Sequence, residues 1–261
     1  MEGQTQDCLN AFEGRLLQGD LACPFRGVSI NSRTVSKGEL FICVKGERFD
    51  GHDFLAEVID KKAGGIILSD PEKLPGGPVQ SGEKPFVIHV QDTLKALQDL
   101  ASFQRKRFPL QVVAVTGTNG KSTTKEMIAS ILETKFKTLK TQGNLNNHIG
   151  LPLTLLKREP SHEVGVLELG MSAAGEIKKL AEIAQPNIGV ITNISEGHLV
   201  QLKSLKDIQS AKGELFDALT KEGTAIVNAD DPLVLELARS LRARTVTFGI
   251  NQPADVRASE I

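Results

Sequence analysis

From residue 110 onward the chain repeats one pattern: a short, almost wholly apolar stretch, a turn, then an amphipathic segment. The apolar stretches are VVAVT (112–116), VGVLEL (164–169), IGVITNI (188–194), TAIVNA (224–229) and RTVTFGI (244–250). Between and after them, residues 121–135, 150–157, 173–184, 205–219 and 232–241 read as helices. Ser204 with Asp207, and Asp231 followed by Pro232, mark two of the helix starts. Strands that are apolar on both faces have no side to offer water. The alternation therefore predicts an α/β fold whose mostly parallel sheet is covered by helices. Ligands of such sheets bind at the carboxyl ends of the strands, so chemistry is expected in the turns that follow them.

The first hundred residues are less regular. GELFICV (38–44), GGIIL (64–68) and FVIHV (86–90) read as strands, with a helix over 52–63 and a Pro/Gly-rich loop over 71–85. Asp92 is the expected cap of a helix that ends on the cations RKR at 105–107, an order that suits the helix dipole. Phe108-Pro109 interrupts that helix and places a domain boundary near 108. Lys and Arg total 31 against 32 Asp and Glu, so no strong field gathers nucleic acid or anionic lipid. No window approaches the ~18–20 uninterrupted apolar residues of a membrane span. The opening MEGQTQDCLNAFEGRL lacks the basic-then-apolar order of a secretory signal. Cys8, Cys23 and Cys43 have no metal-type spacing and read as free thiols of a reducing cytosol, with Cys43 an inert core residue.

VVAVTGTNGKSTTKEMIASIL sets a glycine loop between an apolar strand and an amphipathic helix. Gly117 and Gly120 permit a tight turn that aims N–H groups into one concavity. The helix adds its N-terminal dipole, and Lys121 adds a mobile cation for phosphate oxygens. Ser122 is placed to coordinate Mg²⁺. The common G-x-x-x-x-G-K-[ST] pattern would need glycine at 115, where Val115 stands, so this is a shorter G-x-x-G-K-S loop. Read alone, Glu168 is a strand-end carboxylate able to hold Mg²⁺. His198 lies in the loop after the next strand and, read alone, is more often just a surface residue. Lys212 reads as a solvated helix lysine, and Asn228 as a strand-end residue whose amide both donates and accepts. Asn144, Asn146 and Asn147 fall within four positions between glycines.

The loop Thr116-Gly117-Thr118-Asn119-Gly120-Lys121-Ser122 resembles the ATP site of the Mur ligase superfamily. The block from Thr141 to Pro152, TQGNLNNHIGLP, resembles the superfamily member that joins D-alanyl-D-alanine to UDP-N-acetylmuramoyl-tripeptide. Asn31-Ser32-Arg33 and FDGHDF (49–54) are similar to that ligase's nucleotide-sugar domain. The sequence departs from the family at Asn31, where aspartate is more usual, and at His148, where many members carry an acidic residue.

The resemblance implies a UDP-sugar-binding domain with its connecting helix over 1–108 and an ATP-binding central domain over 109–261. It implies ATP contacts from Thr116 through Thr123 and an adenine contact at Asn228. Mg²⁺ would be held by Ser122, Glu168 and His198, and by Lys212 once carbamylated; Lys121, Lys212 and His198 form the catalytic set. Asn144, Asn146 and Asn147 are assigned to the acyl substrate and Ser32 and Arg33 to the uridine diphosphate. His52 either joins the uridine diphosphate site or orients its own loop. The expected setting is a monomer in the bacterial cytoplasm, acting on small molecules and neither on nucleic acid nor within a membrane. The family's third domain is not found in these 261 residues, so the chain alone is expected to bind UDP-muramoyl tripeptide and ATP without forming amide. The alternatives are a third-residue-adding ligase or folylpolyglutamate synthase of the same superfamily, or a nucleotide-binding module without catalysis.

Overall fold

The computed structural model describes residues 1–46, 48–76, 85–196, 202 and 204–260. They divide into two units, Met1–Gln104 with Leu156–Glu159, and Arg105–Leu155 with Pro160–Ile261.

The first unit carries β1 (Glu2–Gln4), α1 (Thr5–Ala11), β2 (Arg15–Gln18), β3 (Pro24–Arg26), β4 (Val28–Ser29), β5 (Leu40–Ile42), α2 (Leu55–Asp60), β6 (Gly65–Leu68) and β7 (Phe86–His89), followed by α3 (Thr93–Arg107), whose last three residues fall in the second unit. Strands β2, β7, β6, β5 and β4 form a sheet in that order, parallel except at the β2–β7 edge. β1 and β3 form a separate antiparallel pair. Phe41, Ile66, Leu68 and Val87 pack with Leu55 and Val58 of α2 into an apolar core. The helix expected over 52–63 divides in two. A 3-10 turn over Gly51–Phe54, capped by the Asp50 carboxylate accepting from the His52 N–H, precedes α2. Asp92 caps α3 as expected, accepting the Lys95 N–H at 2.9 Å.

The second unit comprises β8 (Gln111–Thr116), α4 (Lys121–Glu133), β9 (Thr138–Lys140), α5 (Gly150–Leu156), β10 (Val164–Glu168), α6 (Glu176–Ala184), β11 (Ile188–Ile191), α7 (Leu205–Asp217), β12 (Thr224–Asn228), α8 (Pro232–Ala238), β13 (Arg244–Gly249) and β14 (Val256–Arg257). Its sheet runs β14-β13-β12-β11-β8-β10-β9, and every neighbouring pair is parallel. Val113, Val115, Val166 and Val190 pack under Ala129, Ile128 and Leu132 of α4. On the other face Gly189 lies against Leu215 and Phe216 of α7. Both faces are covered, which is why the strands read as unbroken apolar runs.

β8 opens this unit yet lies inside the sheet. The chain winds to β10 and β9 on one side and to β11 through β14 on the other, so the switch point falls at the carboxyl end of β8. The registers set Glu168 beside Val115, and Ile191 beside both Thr116 and Val227. Thr116, Glu168, Thr192 and Asn228 consequently share one edge. β11 ends at Ile191 rather than 194 because Thr192 and Asn193 turn to bond the loop after β8. Ser204 accepts the Asp207 N–H and Asp231 accepts those of Leu233 and Val234, as the sequence signals predicted. The three cysteines are free, and among the described residues no helix is long and apolar enough to cross a membrane.

The packing predicts a sharp contrast between two isoleucines. Ile66→Ala, in the closed core of the first unit, is expected to cost about 2–5 kcal/mol in chemical denaturation. Ile131→Ala, 70% exposed on α4, is expected to change stability by less than about 0.5 kcal/mol. Equal losses at the two positions would contradict this assignment of core and surface.

Candidate active site

The loop between β8 and α4 is held in shape by its own backbone and by the segment after β11. Gly117 has φ 151°, and a Cβ there would run into the Thr192 side chain, so only glycine fits. Gly120, at φ 76°, caps α4 in the left-handed region. The segment after β11 pins the loop from the side. The Thr118 N–H donates to the Asn193 carbonyl (2.9 Å) and the Asn119 N–H to Asn193 Oδ1 (3.0 Å). Thr192 Oγ1 donates to the Asn119 carbonyl (2.7 Å), and the Ser195 N–H to Thr118 Oγ1 (3.0 Å). Thr116 is buried, its hydroxyl on the Leu169 carbonyl at 2.8 Å. The first-turn N–H groups of α4, at Lys121, Ser122 and Thr123, have no acceptor within the helix and form an anion-binding end.

Two ammonium groups meet at one oxygen. Lys121 Nζ lies 3.0 Å from the carbonyls of both Gly117 and Thr118, and Lys212 Nζ lies 2.9 Å from the Gly117 carbonyl. Lys212 is only 2% exposed. Burial, with the nearby Lys121 charge as the second cause, lowers its pKa from 10.5 to about 8. The solvated lysine read from the helix alone is thus replaced by a buried one. A signal was available: Ile208, Ala211, Lys212 and Leu215 follow the spacing of a buried helical stripe. Lys121 and Lys212 line a cavity of about 400 Å³ together with Asn144, Asn146, Asn147 and Glu176.

Glu168, 2% exposed, completes the edge. Ser122 Oγ donates to its Oε2 and Asn146 Nδ2 to its Oε1, both at 2.8 Å. Among the described residues Glu168 makes no ion pair. A buried carboxylate met only by neutral donors, with a hydroxyl oxygen beside it, fits a hard divalent cation. His198 lies outside the described residues, and among those described no three His, Cys, Asp or Glu cluster as a metal site.

Asn147 Oδ1 accepts the N–H groups of Ile149 and Gly150 at the start of α5. The exposed Asn144 accepts the Asn146 N–H on its carbonyl. Asn228 spends both ends of its amide on the edge: Nδ2 donates to the Thr192 carbonyl, and Oδ1 accepts the Asp230 N–H. A further buried lysine lies on α4. Lys125, one turn beyond Lys121, is 1% exposed, and its ammonium donates to the Thr141 carbonyl at 2.7 Å.

In the first unit, Lys61 Nζ holds the carbonyls of Ser32 (2.6 Å) and Arg33 (2.8 Å), while Asn31 Oδ1 accepts the Arg33 N–H (3.0 Å). Ser32 is buried and Arg33 exposed. His52 is buried with both ring nitrogens engaged. Nε2 accepts the Ser69 N–H at 2.9 Å, so Nδ1 carries the proton given to Asp50 Oδ1 at 2.5 Å. Burial alone would raise the Asp50 carboxyl. Hydrogen bonds from His52 and Lys73 outweigh it and hold the group well below the usual carboxylate range. Through these two bonds His52 ties its own turn to the residue that follows β6.

The Lys212 environment sets a pH dependence. The unfolded chain keeps the ordinary lysine value of 10.5 while the folded site holds about 8, so the unfolded state binds more protons between them. Stability therefore rises with pH across that window, and below it the buried charge is fully unfavourable. Lys212→Met is expected to gain stability over the parent near neutral pH and to lose that advantage towards pH ~10. Denaturation midpoints measured across this range check it; parallel profiles would show an unperturbed amine.

Comparison with known proteins places this geometry. Residues 115–261 match the Mur ligase middle domain, and residues 24–105 match the family model described as Mur ligase family, catalytic domain. The chain is 39% identical over 252 residues to the UDP-N-acetylmuramoyl-tripeptide--D-alanyl-D-alanine ligase of Bacillus subtilis, covering 94% of this chain and 53% of that protein. The Escherichia coli ligase of the same name is 39% identical over 228 residues, covering 87% of this chain and 47% of that one. A crystal structure of MurF from Acinetobacter baumannii superposes with a TM-score of 0.88 at 33% identity, over 100% of this chain and 56% of that one. MurF from Thermotoga maritima, in complex with ADP, gives 0.76 at 34% identity, over 87% and 51%. The chain spans about half the length of the curated relatives it matches. It belongs to the Mur ligase family.

Proposed function

We propose that this chain supplies the nucleotide and acyl-substrate sites of an ATP-dependent carboxylate–amine ligase that joins D-alanyl-D-alanine to UDP-N-acetylmuramoyl-tripeptide. The observation that carries the reading is the convergence of Lys121 and Lys212 on Gly117, beside the Ser122–Glu168 pair, at the switch point of a parallel sheet. The names of the relatives and the ADP bound to the Thermotoga maritima neighbour support the substrates. Residues 1–108 are read as the UDP-sugar domain, with Ser32 and Arg33 facing the diphosphate, and 109–261 as the ATP-binding domain.

A carboxylate is a poor electrophile, so the terminal carboxylate of the tripeptide first attacks the γ-phosphorus of ATP. ADP leaves and an acyl phosphate forms. The amine of D-alanyl-D-alanine then attacks the acyl carbon and inorganic phosphate departs. Lys121 exchanges the Gly117 and Thr118 carbonyls for phosphate oxygens, following the transferred charge. The loop and helix N–H groups take the remaining oxygens with little rearrangement, because the β11 segment already fixes them. Asn144, Asn146 and Asn147 line the cavity where the acyl end would lie. Ser122, Glu168 and carbamylated Lys212 would hold Mg²⁺, which offsets charge on the phosphoryl oxygens when bound; His198 is the further ligand proposed. Lys212, with its lowered pKa, has a neutral fraction of about one in ten at pH 7. That lone pair can add to CO₂ and release a proton, turning a cation into an anionic ligand.

Calorimetry on the 261-residue chain tests the reading. Lys121→Ala is expected to weaken Mg·ATP roughly tenfold or more and leave UDP-N-acetylmuramoyl-tripeptide unchanged; Arg33→Ala is expected to do the reverse. Binding of folates in place of the muramoyl tripeptide, or unchanged Mg·ATP affinity in folded Lys121→Ala, would overturn it.

A further inference from the structure

Lys125 is a lysine on a helix with a free outer face, yet it is 1% exposed. Burying an ammonium is unfavourable unless it is fully paired, so its partners carry the explanation. Nζ donates to the Thr141 carbonyl at 2.7 Å and pairs with Glu126 Oε1 at 2.7 Å. From the outer side, Lys140 bridges Glu126 (3.1 Å) and Glu133 (3.2 Å), so charge around the buried ammonium is balanced locally.

Thr141 is the first residue after β9 and is fully buried. Its N–H donates to the Val166 carbonyl at 3.1 Å, and its hydroxyl accepts the Glu168 N–H at 3.0 Å. The Glu168 carboxylate returns to α4 through Ser122, three residues before Lys125 and so on the same helical face. The contacts close into a ring: Lys125 to Thr141, Thr141 to Glu168, Glu168 to Ser122, and along α4 back to Lys125. The segment after Thr141 carries Asn146, which holds the other carboxylate oxygen. An apolar side chain at 125 would leave the Thr141 carbonyl buried without this donor.

We propose that Lys125 is a positioning residue: by clamping Thr141 it fixes Glu168 and the Asn144–Asn147 segment in the arrangement that takes a cation-bound nucleotide. This rests on the nucleotide reading above, deepens it, and makes no claim that Lys125 touches substrate.

The test measures Lys125→Met, Lys125→Arg and Thr141→Val in the whole chain, by two readouts. The first is hydrogen exchange at the Glu168 amide, which needs no ligand. The second is ATP affinity with and without Mg²⁺. Lys125→Met and Thr141→Val are expected to speed Glu168 exchange roughly tenfold. Both should keep cation-free ATP affinity and lose roughly tenfold of the gain that Mg²⁺ confers. Lys125→Arg, which keeps charge and donor, is expected to recover part of that gain. Unchanged exchange and an unchanged Mg²⁺ gain in Lys125→Met would overturn the proposal. So would an equal loss of cation-free binding, which would mark general damage to the loop. If the parent chain itself gains nothing from Mg²⁺, the nucleotide reading fails and the positioning role falls with it; the exchange result then still reports separately whether the ring exists.

Discussion

The Gly117 carbonyl, with two lysine ammonium groups on it, is the point around which the second unit is arranged. Lys121 approaches from the helix that begins four residues later, and Lys212 from a helix nearly a hundred residues on. Two like charges at one partly negative oxygen repel each other. Burial and that neighbouring charge lower the Lys212 pKa as a consequence, and the arrangement is sustained because the loop cannot move away. Gly117 is pressed against Thr192, and Thr192, Asn193 and Ser195 hold the next residues. An oxyanion entering this concavity would relieve the repulsion that the carbonyl alone only partly offsets.

That convergence depends on the sheet. Parallel order brings the ends of β8, β10, β11 and β12 to one edge, and the switch point at β8 opens a gap between the chain's two winding directions. Glu168 could not stand beside Ser122 without the register that pairs it with Val115. The same edge recruits the segment after β9, whose asparagines turn inward to Glu168 or cap α5. Chemistry and fold are thus the same set of contacts here, viewed from two sides.

The parallel sheet was legible in the sequence because strands such as VVAVT and VGVLEL have no polar face, and the glycine loop because Gly117 and Gly120 stand at fixed offsets from Lys121. The early strands were not. β1, β3 and β4 are two or three residues long, too short for alternation to register, and β9 is an edge strand with a single buried residue. Lys212 and Lys125 were hidden for another reason. A helix lysine is normally solvated, and only tertiary packing decides otherwise, although the stripe containing Ile208, Ala211 and Leu215 pointed to it for Lys212. His52 shows a different limit: no motif could reveal that its Nδ1 bonds Asp50 of its own turn while its Nε2 accepts the Ser69 N–H after β6.

In the proposed function the Gly117–Ser122 loop receives the polyphosphate, and Lys121 changes partners to do so. The most direct measurement is a crystal structure of the chain with Mn²⁺ and a non-hydrolysable ATP analogue, using the anomalous signal to locate the metal. The expected result is a metal peak against Ser122 Oγ and Glu168, with Lys121 Nζ moved from the Gly117 and Thr118 carbonyls to phosphate oxygens. Nucleotide bound elsewhere, or Lys121 still seated on those carbonyls beneath a bound polyphosphate, would contradict it.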